Sequence, residues 1–216
     1  KLAHEELLKI IGEYDALIVR SGTKVTAEVI EAGKRLRVVG RAGVGVDNVD
    51  VEAATRRGVL VMNTPAANII SAAEHTMAMM LTMARNIPRA DASVKAGKWE
   101  RSKFTGVELM GKTLGIVGIG RVGGEVAKRA KAFQMKLVGY DPYISQELAV
   151  KLGVRILPLE KVLEEADFIT IHTPLTPTTH HLIGREQLGL MRPSAFVVNC
   201  ARGGIIDEDA LYDALK

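Results

Sequence analysis

Short apolar runs alternate with amphipathic stretches along the first third of the chain, and the period of each decides its element. Residues 16–20, 36–40 and 59–62 are brief apolar runs that predict strands. Residues 5–11, 26–32 and 51–57 carry helical spacing, the last closed by Gly58. Strands alternating with short helices imply a parallel sheet covered on both faces. At 71–86 the pattern changes. Ser71 and Glu74 read as a capping box opening a helix that ends before Pro88, and Met77, Met79, Met80, Leu81 and Met83 leave it almost no polar face. Such a helix is expected to be buried on several sides, between domains or between subunits. Its methionines read as adaptable packing rather than a cofactor box. A loop around Gly97-Lys98-Trp99 then leads into a second series, with strands at 114–117, 136–140, 168–172 and 195–200 and a helix at 121–133.

The expected fold class is therefore α/β with two domains. Residues 1–64 form part of a flavodoxin-like substrate domain, and 65–216 a Rossmann-type doubly wound parallel sheet that includes the 71–86 helix. The chain starts inside an amphipathic helix without an initiator Met. It stops at 208–216 inside another that has no Gly or Pro terminator. The expectation is of a fragment, truncated in its second domain.

Between the run at 114–117 and the helix that follows lies Gly118-Ile119-Gly120-Arg121-Val122-Gly123. Gly118 allows a sharp turn out of a strand, Gly120 a close approach of backbone to a pyrophosphate, and Gly123 close helix–sheet packing. The helix aims its free N–H groups and the positive end of its dipole at the phosphates. Asp141 ends the next strand, where a carboxylate accepts bonds from an adenosine ribose and repels a 2′-phosphate. No Arg or Lys follows in Pro142-Tyr143-Ile144-Ser145, so NAD is the expected cofactor over NADP. Arg121 either pairs with the pyrophosphate or is an exposed first helical residue; its place inside the turn favours the phosphate.

In open α/β sheets ligands bind outside the carboxyl ends of the strands. Those ends hold His172-Thr173-Pro174 and Asn199-Cys200-Ala201-Arg202-Gly203-Gly204 in the second series, and Arg20 and Arg41-Ala42-Gly43-Val44-Gly45 in the first. Three strand-end arginines suggest an anionic ligand, since the planar fork binds a carboxylate or phosphate through two parallel bonds. From position alone, Arg202 is as readily a structural arginine satisfying loop carbonyls as a ligand-binding one. Cys200 has no His or acid beside it in sequence and reads as a small packed residue rather than a nucleophile.

Composition narrows this further. The net charge of +4 is scattered, with no Lys/Arg block and 4% aromatic residues, which excludes a nucleic-acid stacking surface and leaves a field that favours anionic substrates. One cysteine excludes an intramolecular disulfide, and no Cys or His spacing suggests a metal. With no signal peptide or bilayer-length apolar run, no membrane partner is expected and a cytoplasmic location is.

Three separated stretches, at 41–50, 118–123 and 199–208, together resemble the D-isomer-specific 2-hydroxyacid dehydrogenases, and the similarity covers essentially the whole chain. Gly97-Lys98-Trp99-Glu100-Arg101 through Phe104, with Asn63-Thr64-Pro65 and Ser71-Ala72-Ala73-Glu74, is most similar to the family member that oxidises 3-phosphoglycerate. The resemblance implies that Arg202 binds the substrate carboxylate and the oxygen on C2. It implies that Gly118, Gly120, Arg121, Val122, Gly123, Asp141, Thr173, Cys200, Ala201 and Arg202 contact NAD, with Val44 beside it. Val44 and Gly45 would offer backbone N–H groups to the carboxylate, Arg20 and Arg41 would bind the phosphate, and Asn68 would line the cleft. The family often has Thr or Ser where Val44 stands. Its catalytic Glu and His would lie beyond residue 216, so this stretch alone is expected to be inactive. Of the histidines present, His4 is expected on an exposed helix, His75 packed in the Met-rich helix, and His180 and His181 on a loop. His172 comes nearest to a catalytic position but is assigned to the cofactor domain. A homodimer or higher homo-oligomer is expected from the Met-rich helix. The alternatives are a glyoxylate or hydroxypyruvate reductase, for which fewer cations suffice, and a non-enzymatic NAD-binding corepressor built on the same scaffold.

Overall fold

Three of the expected strands, β1 (Ala16–Val19), β2 (Val38–Arg41) and β3 (Leu60–Asn63), pair in parallel in that order. They belong to a computed structural model that describes residues 2–216. Its contacts divide into two units, one ending at Asn68 and the other spanning Ile69–Lys216.

In the first unit, α1 (His4–Ile10), α2 (Ala27–Ala32) and α3 (Val51–Arg56) accompany the sheet. Helices this short depend on their caps. Thr26 Oγ1 accepts the Val29 N–H at 3.4 Å, and Asp50 Oδ1 accepts the Ala53 N–H at 2.8 Å. Strand alternation places Leu17, Val39 and Val61 in register toward a core of Leu7, Ile11, Val29, Ile30 and Ala54. The other face carries Ile18, Gly40 and Met62, and Ile18 is 80% exposed. Within this unit the sheet is thus covered on one face, not on both as the element order suggested.

The second unit opens with α4 (Ile69–Ala84) and α5 (Ile87–Lys95). Two expectations are corrected here. Helix α4 begins at Ile69, so Ser71 sits in its first turn and does not cap it; Glu74 instead reaches Arg129 at 3.5 Å. The stretch between Asn86 and the expected loop around Gly97, to which no element was assigned, contains α5, because Pro88 opens a helix rather than only marking the end of one. Pro needs no N–H in a first turn, and Asn86, at φ 53°, supplies the left-handed break between the two helices. Helix α4 is buried along one stripe, Ala73, Thr76, Met77, Met80 and Ala84, against α6 (Arg121–Ala132). Its Met79, Ile70 and His75 are exposed, so it is not buried on several sides within the chain, and His75 is not packed as expected.

Strands β4 (Thr113–Val117), β5 (Lys136–Tyr140), β6 (Arg155–Ile156), β7 (Phe168–Ile171) and β8 (Phe196–Asn199) form one parallel sheet in the order β6-β5-β4-β7-β8. With α7 (Gln146–Leu152), α8 (Leu159–Glu165), α9 (Arg185–Gly189) and α10 (Glu208–Ala214), this is the doubly wound α/β architecture expected. Winding reverses between β4 and β7, and both strands are apolar almost throughout because both faces are covered. Two clusters, one containing Leu114, Ile116 and Phe168 and the other Val117, Ile169 and Ile171, flank the sheet. No described helix is long and apolar enough to cross a membrane.

One residue ties three strand starts together. Asp167 accepts the Thr113 N–H at 2.8 Å and the Arg192 Nη1–H at 2.7 Å, while its backbone bonds Thr113 and Phe196. Burial opposes its ionisation, but the Thr113 N–H and the Arg192 guanidinium outweigh that and hold its carboxyl below the usual value. A lowered folded value stabilises the fold above about pH 4, and this contribution is lost as the pH falls through it. Asp167→Asn is therefore expected to cost about 1–2 kcal/mol at pH 7. The gap to the parent should shrink in denaturant titrations repeated below about pH 4.

Candidate nucleotide site and strand-end arginines

The register of the second sheet aligns Tyr140, Val117, Ile171 and Asn199. The residues that follow, Asp141, Gly118, His172 and Cys200, leave β5, β4, β7 and β8 side by side at the carboxyl edge. Gly118 takes φ +89°, and a Cβ there would lie 2.9 Å from the backbone of His172 and Thr173. A Cβ on Gly123 would lie 2.1 Å from the Gly118 carbonyl oxygen. The turn therefore closes only with glycine at both positions. Gly120 differs: it is exposed, and a Cβ would meet nothing within 4 Å, so open space fronts the start of α6. Gly120 is also that helix's N-cap and supplies no side-chain bond to its first turn.

Asp141 is already oriented. Its Oδ2 accepts the Ile119 N–H at 2.7 Å and its Oδ1 the Tyr143 N–H at 2.8 Å, leaving lone pairs on each oxygen. The Thr173 hydroxyl, beside Gly118, is buried and has no hydrogen-bond partner among the described residues. A buried polar atom left so asks for a ligand. A capless helix start, open space before Gly120, an oriented carboxylate and an orphaned hydroxyl all fit a dinucleotide. Val122 and Cys200 are half-buried and pack on the main cluster of the unit. Arg121 is exposed at the first turn of α6.

His172 is half-buried, with Nε2 at 2.8 Å from Thr170 Oγ1, and burial pushes its imidazole down to about 4. It is neutral at physiological pH. Arg202 is half-buried; its Nη1 donates to the Ala201 carbonyl at 2.8 Å.

In the first unit the expected residues cluster on the loops after β1 and β2. Arg20 is exposed; Arg41 lies folded over its own loop, with Nη1 donating to the Ala42 carbonyl at 3.1 Å and Nε to Asn48 Oδ1 at 3.4 Å. Asn48, which sequence reasoning did not single out, also donates to the carbonyls of Arg20 at 3.0 Å and Thr23 at 2.7 Å. One amide thus joins the two arginine-bearing loops. The Val44 carbonyl accepts from Asn63 at 2.6 Å, while the Val44 and Gly45 N–H groups find no acceptor among the described residues. Asn68 is exposed at the end of the unit. Asn199, placed at a strand end by the sequence but given no role there, holds the Arg202 turn; the one signal for it is that it is the polar residue closing an apolar strand.

The sequence model of the D-isomer specific 2-hydroxyacid dehydrogenase NAD binding domain matches residues 77–216. Over its whole length the chain is 59% identical to D-3-phosphoglycerate dehydrogenase of Methanocaldococcus jannaschii, of which it covers 41%. It spans about two fifths of the length of the curated relatives it matches. A solved Thermus thermophilus protein superposes with a TM-score of 0.92 at 40% identity, covering 100% of this chain and 68% of that one. D-lactate dehydrogenase of Aquifex aeolicus, solved with NAD and lactic acid, superposes with a TM-score of 0.90 at 34% identity, covering 96% and 62%. Sheet order, glycine turn, strand-end carboxylate and these likenesses agree: the chain belongs to the D-isomer specific 2-hydroxyacid dehydrogenases, and residues 77–216 are the family's NAD-binding domain.

Proposed function

We propose that the full protein oxidises 3-phosphoglycerate to 3-phosphohydroxypyruvate with NAD, in a soluble cytoplasmic homodimer or higher homo-oligomer. The observation that carries this reading is the joint presence of the dinucleotide turn after β4, Arg202 on the turn after β8 at the same carboxyl edge, and two further arginines, Arg20 and Arg41, on strand-end loops of the first unit. The identity to D-3-phosphoglycerate dehydrogenases supports the choice of substrate.

NAD, when bound, supplies the acceptor for the hydride that leaves C2. The chain's own residues bind and orient. Backbone N–H groups at the start of α6, with Arg121, neutralise the pyrophosphate. Asp141 accepts the ribose hydroxyls, and the Thr173 hydroxyl gains the partner it lacks. Val122 contributes backbone, and Cys200 and Ala201 line the cofactor's path. Arg202 holds the substrate carboxylate and the C2 oxygen, and its fixed cation stabilises the alkoxide character that develops there. Val44 and Gly45 offer N–H groups to the carboxylate, Arg20 and Arg41 take the phosphate, and Asn68 lines the substrate's approach.

The proton on the C2 hydroxyl needs a base. His172, with a value near 4 and bonded to Thr170, is a weak one. His4 and His75 are exposed on helices, and His180 stacks on His181 with ring centroids 3.9 Å apart. The base is accordingly assigned to the part of the full protein outside these residues.

Two outcomes are expected. Residues 1–216 bind NADH by calorimetry, with affinity lost in Gly123→Val and NADPH bound more weakly than NADH, yet turn over about a hundredfold or more slower than the full protein. In the full protein, Arg202→Ala lowers kcat/KM for 3-phosphoglycerate by about a hundredfold to a thousandfold. Equal use of glycerate and 3-phosphoglycerate by the parent would sink the phosphate assignment.

A further inference from the structure

Arg202 stands three residues beyond the end of β8, on a turn with no helix or strand to fix it. A residue that must hold a carboxylate and a reacting oxygen together has little tolerance for displacement. An error of about 1 Å in such a group costs about a hundredfold in rate. The local backbone therefore needs a device that sets it.

Asn199, the last residue of β8, is in register with Ile171 and so is anchored by the sheet. Its side-chain Oδ1 accepts the Ala201 N–H at 3.0 Å, and its Nδ2 donates to the Arg202 carbonyl at 2.8 Å. Those groups belong to two peptide units with one between them. That middle unit offers the Ala201 carbonyl, which accepts from the Arg202 guanidinium itself at 2.8 Å. Three consecutive peptides are thereby held, the outer two by Asn199 and the middle one by the guanidinium. Downstream the turn is secured differently. The His181 N–H donates to the Gly204 carbonyl at 2.8 Å and the Ile183 N–H to Ile205 at 3.1 Å, main-chain bonds that need no particular side chain. The upstream half depends on a side chain that offers an acceptor and a donor at once, which an amide does and a carboxylate, hydroxyl or methyl group does not to the same span.

We propose that Asn199 is a positioning residue for Arg202: its amide bridges the Ala201 N–H and the Arg202 carbonyl, and thereby fixes where the guanidinium is presented to a 2-hydroxy acid. The inference rests on the dehydrogenase reading of Arg202 given above. It assigns Asn199 no contact with substrate.

The test uses the full protein, with Asn199→Ala, Asn199→Asp, Arg202→Ala and the Asn199→Ala/Arg202→Ala pair. Asn199→Ala is expected to lower kcat/KM for 3-phosphoglycerate by about tenfold to a hundredfold while NADH affinity stays within about threefold. Asn199→Asp, which keeps the acceptor and loses the donor, falls between it and the parent and serves if the alanine variant does not fold. Because Asn199 acts through Arg202, its replacement is expected to cost less than about twofold in the Arg202→Ala background. Parent-like kcat/KM in Asn199→Ala or, if it does not fold, in Asn199→Asp, beside a crippled Arg202→Ala, overturns this inference alone. A further tenfold loss in the double variant overturns it too. Full turnover by Arg202→Ala would overturn the assignment of Arg202, and this inference with it.

Discussion

The second unit depends on a steric constraint at the point where its sheet changes winding direction. The chain leaving β4 at Gly118 passes so close to the chain leaving β7 that no Cβ fits between Gly118 and the His172–Thr173 backbone, and α6 begins so close to Gly118 that none fits at Gly123. These two contacts bring the first turn of α6 down onto the sheet and hold the strand ends together. The open face at Gly120 is what remains once the other two positions are packed shut. Binding capacity here follows from close packing elsewhere in the turn.

Polar groups finish what packing begins. Asp141 bridges the Ile119 and Tyr143 N–H groups, so the loops after β4 and β5 share one carboxylate. Asn199 does the same within the turn after β8, and Asn48 joins the loops after β1 and β2 in the first unit. In each case a short side chain with two or more bonding positions replaces the regular ladder that stops at the strand end. These strand-end loops are held by single residues, whereas the strands beneath them are held by many.

Much of this was legible in the sequence because the second sheet is made of apolar runs separated by turn residues, and because the glycine spacing is joined by an acid at the end of the next strand. The glycine turn, Asp141 and the parallel strands followed from residue type and spacing. The boundary of α4 did not, since a capping-box pattern at Ser71 and Glu74 competes with a tertiary contact between Glu74 and Arg129. Helix α5 was hidden by Pro88, whose role depends on whether a helix is ending or beginning at that residue. The exposure of His75 depended on which stripe of a nearly all-apolar helix finds a partner, and periodicity is silent when both faces are greasy. Asn48 and Asn199 were invisible as bridges because the carbonyls and N–H groups they bridge to are main-chain atoms, which carry no signature in residue type.

The level strand ends have a consequence for length discrimination. Neighbouring strands in a sheet lie about 4.8 Å apart, so the row from Asp141 through Gly118 and His172 to Cys200 spans about 14 Å. The sheet is graduated in strand widths, with the Asp141 carboxylate at one end of the row and the turn that carries Arg202 leaving the other. A molecule must be extended over that length to touch both ends at once. The pitch of the backbone ladder, which no side-chain substitution changes, sets that length.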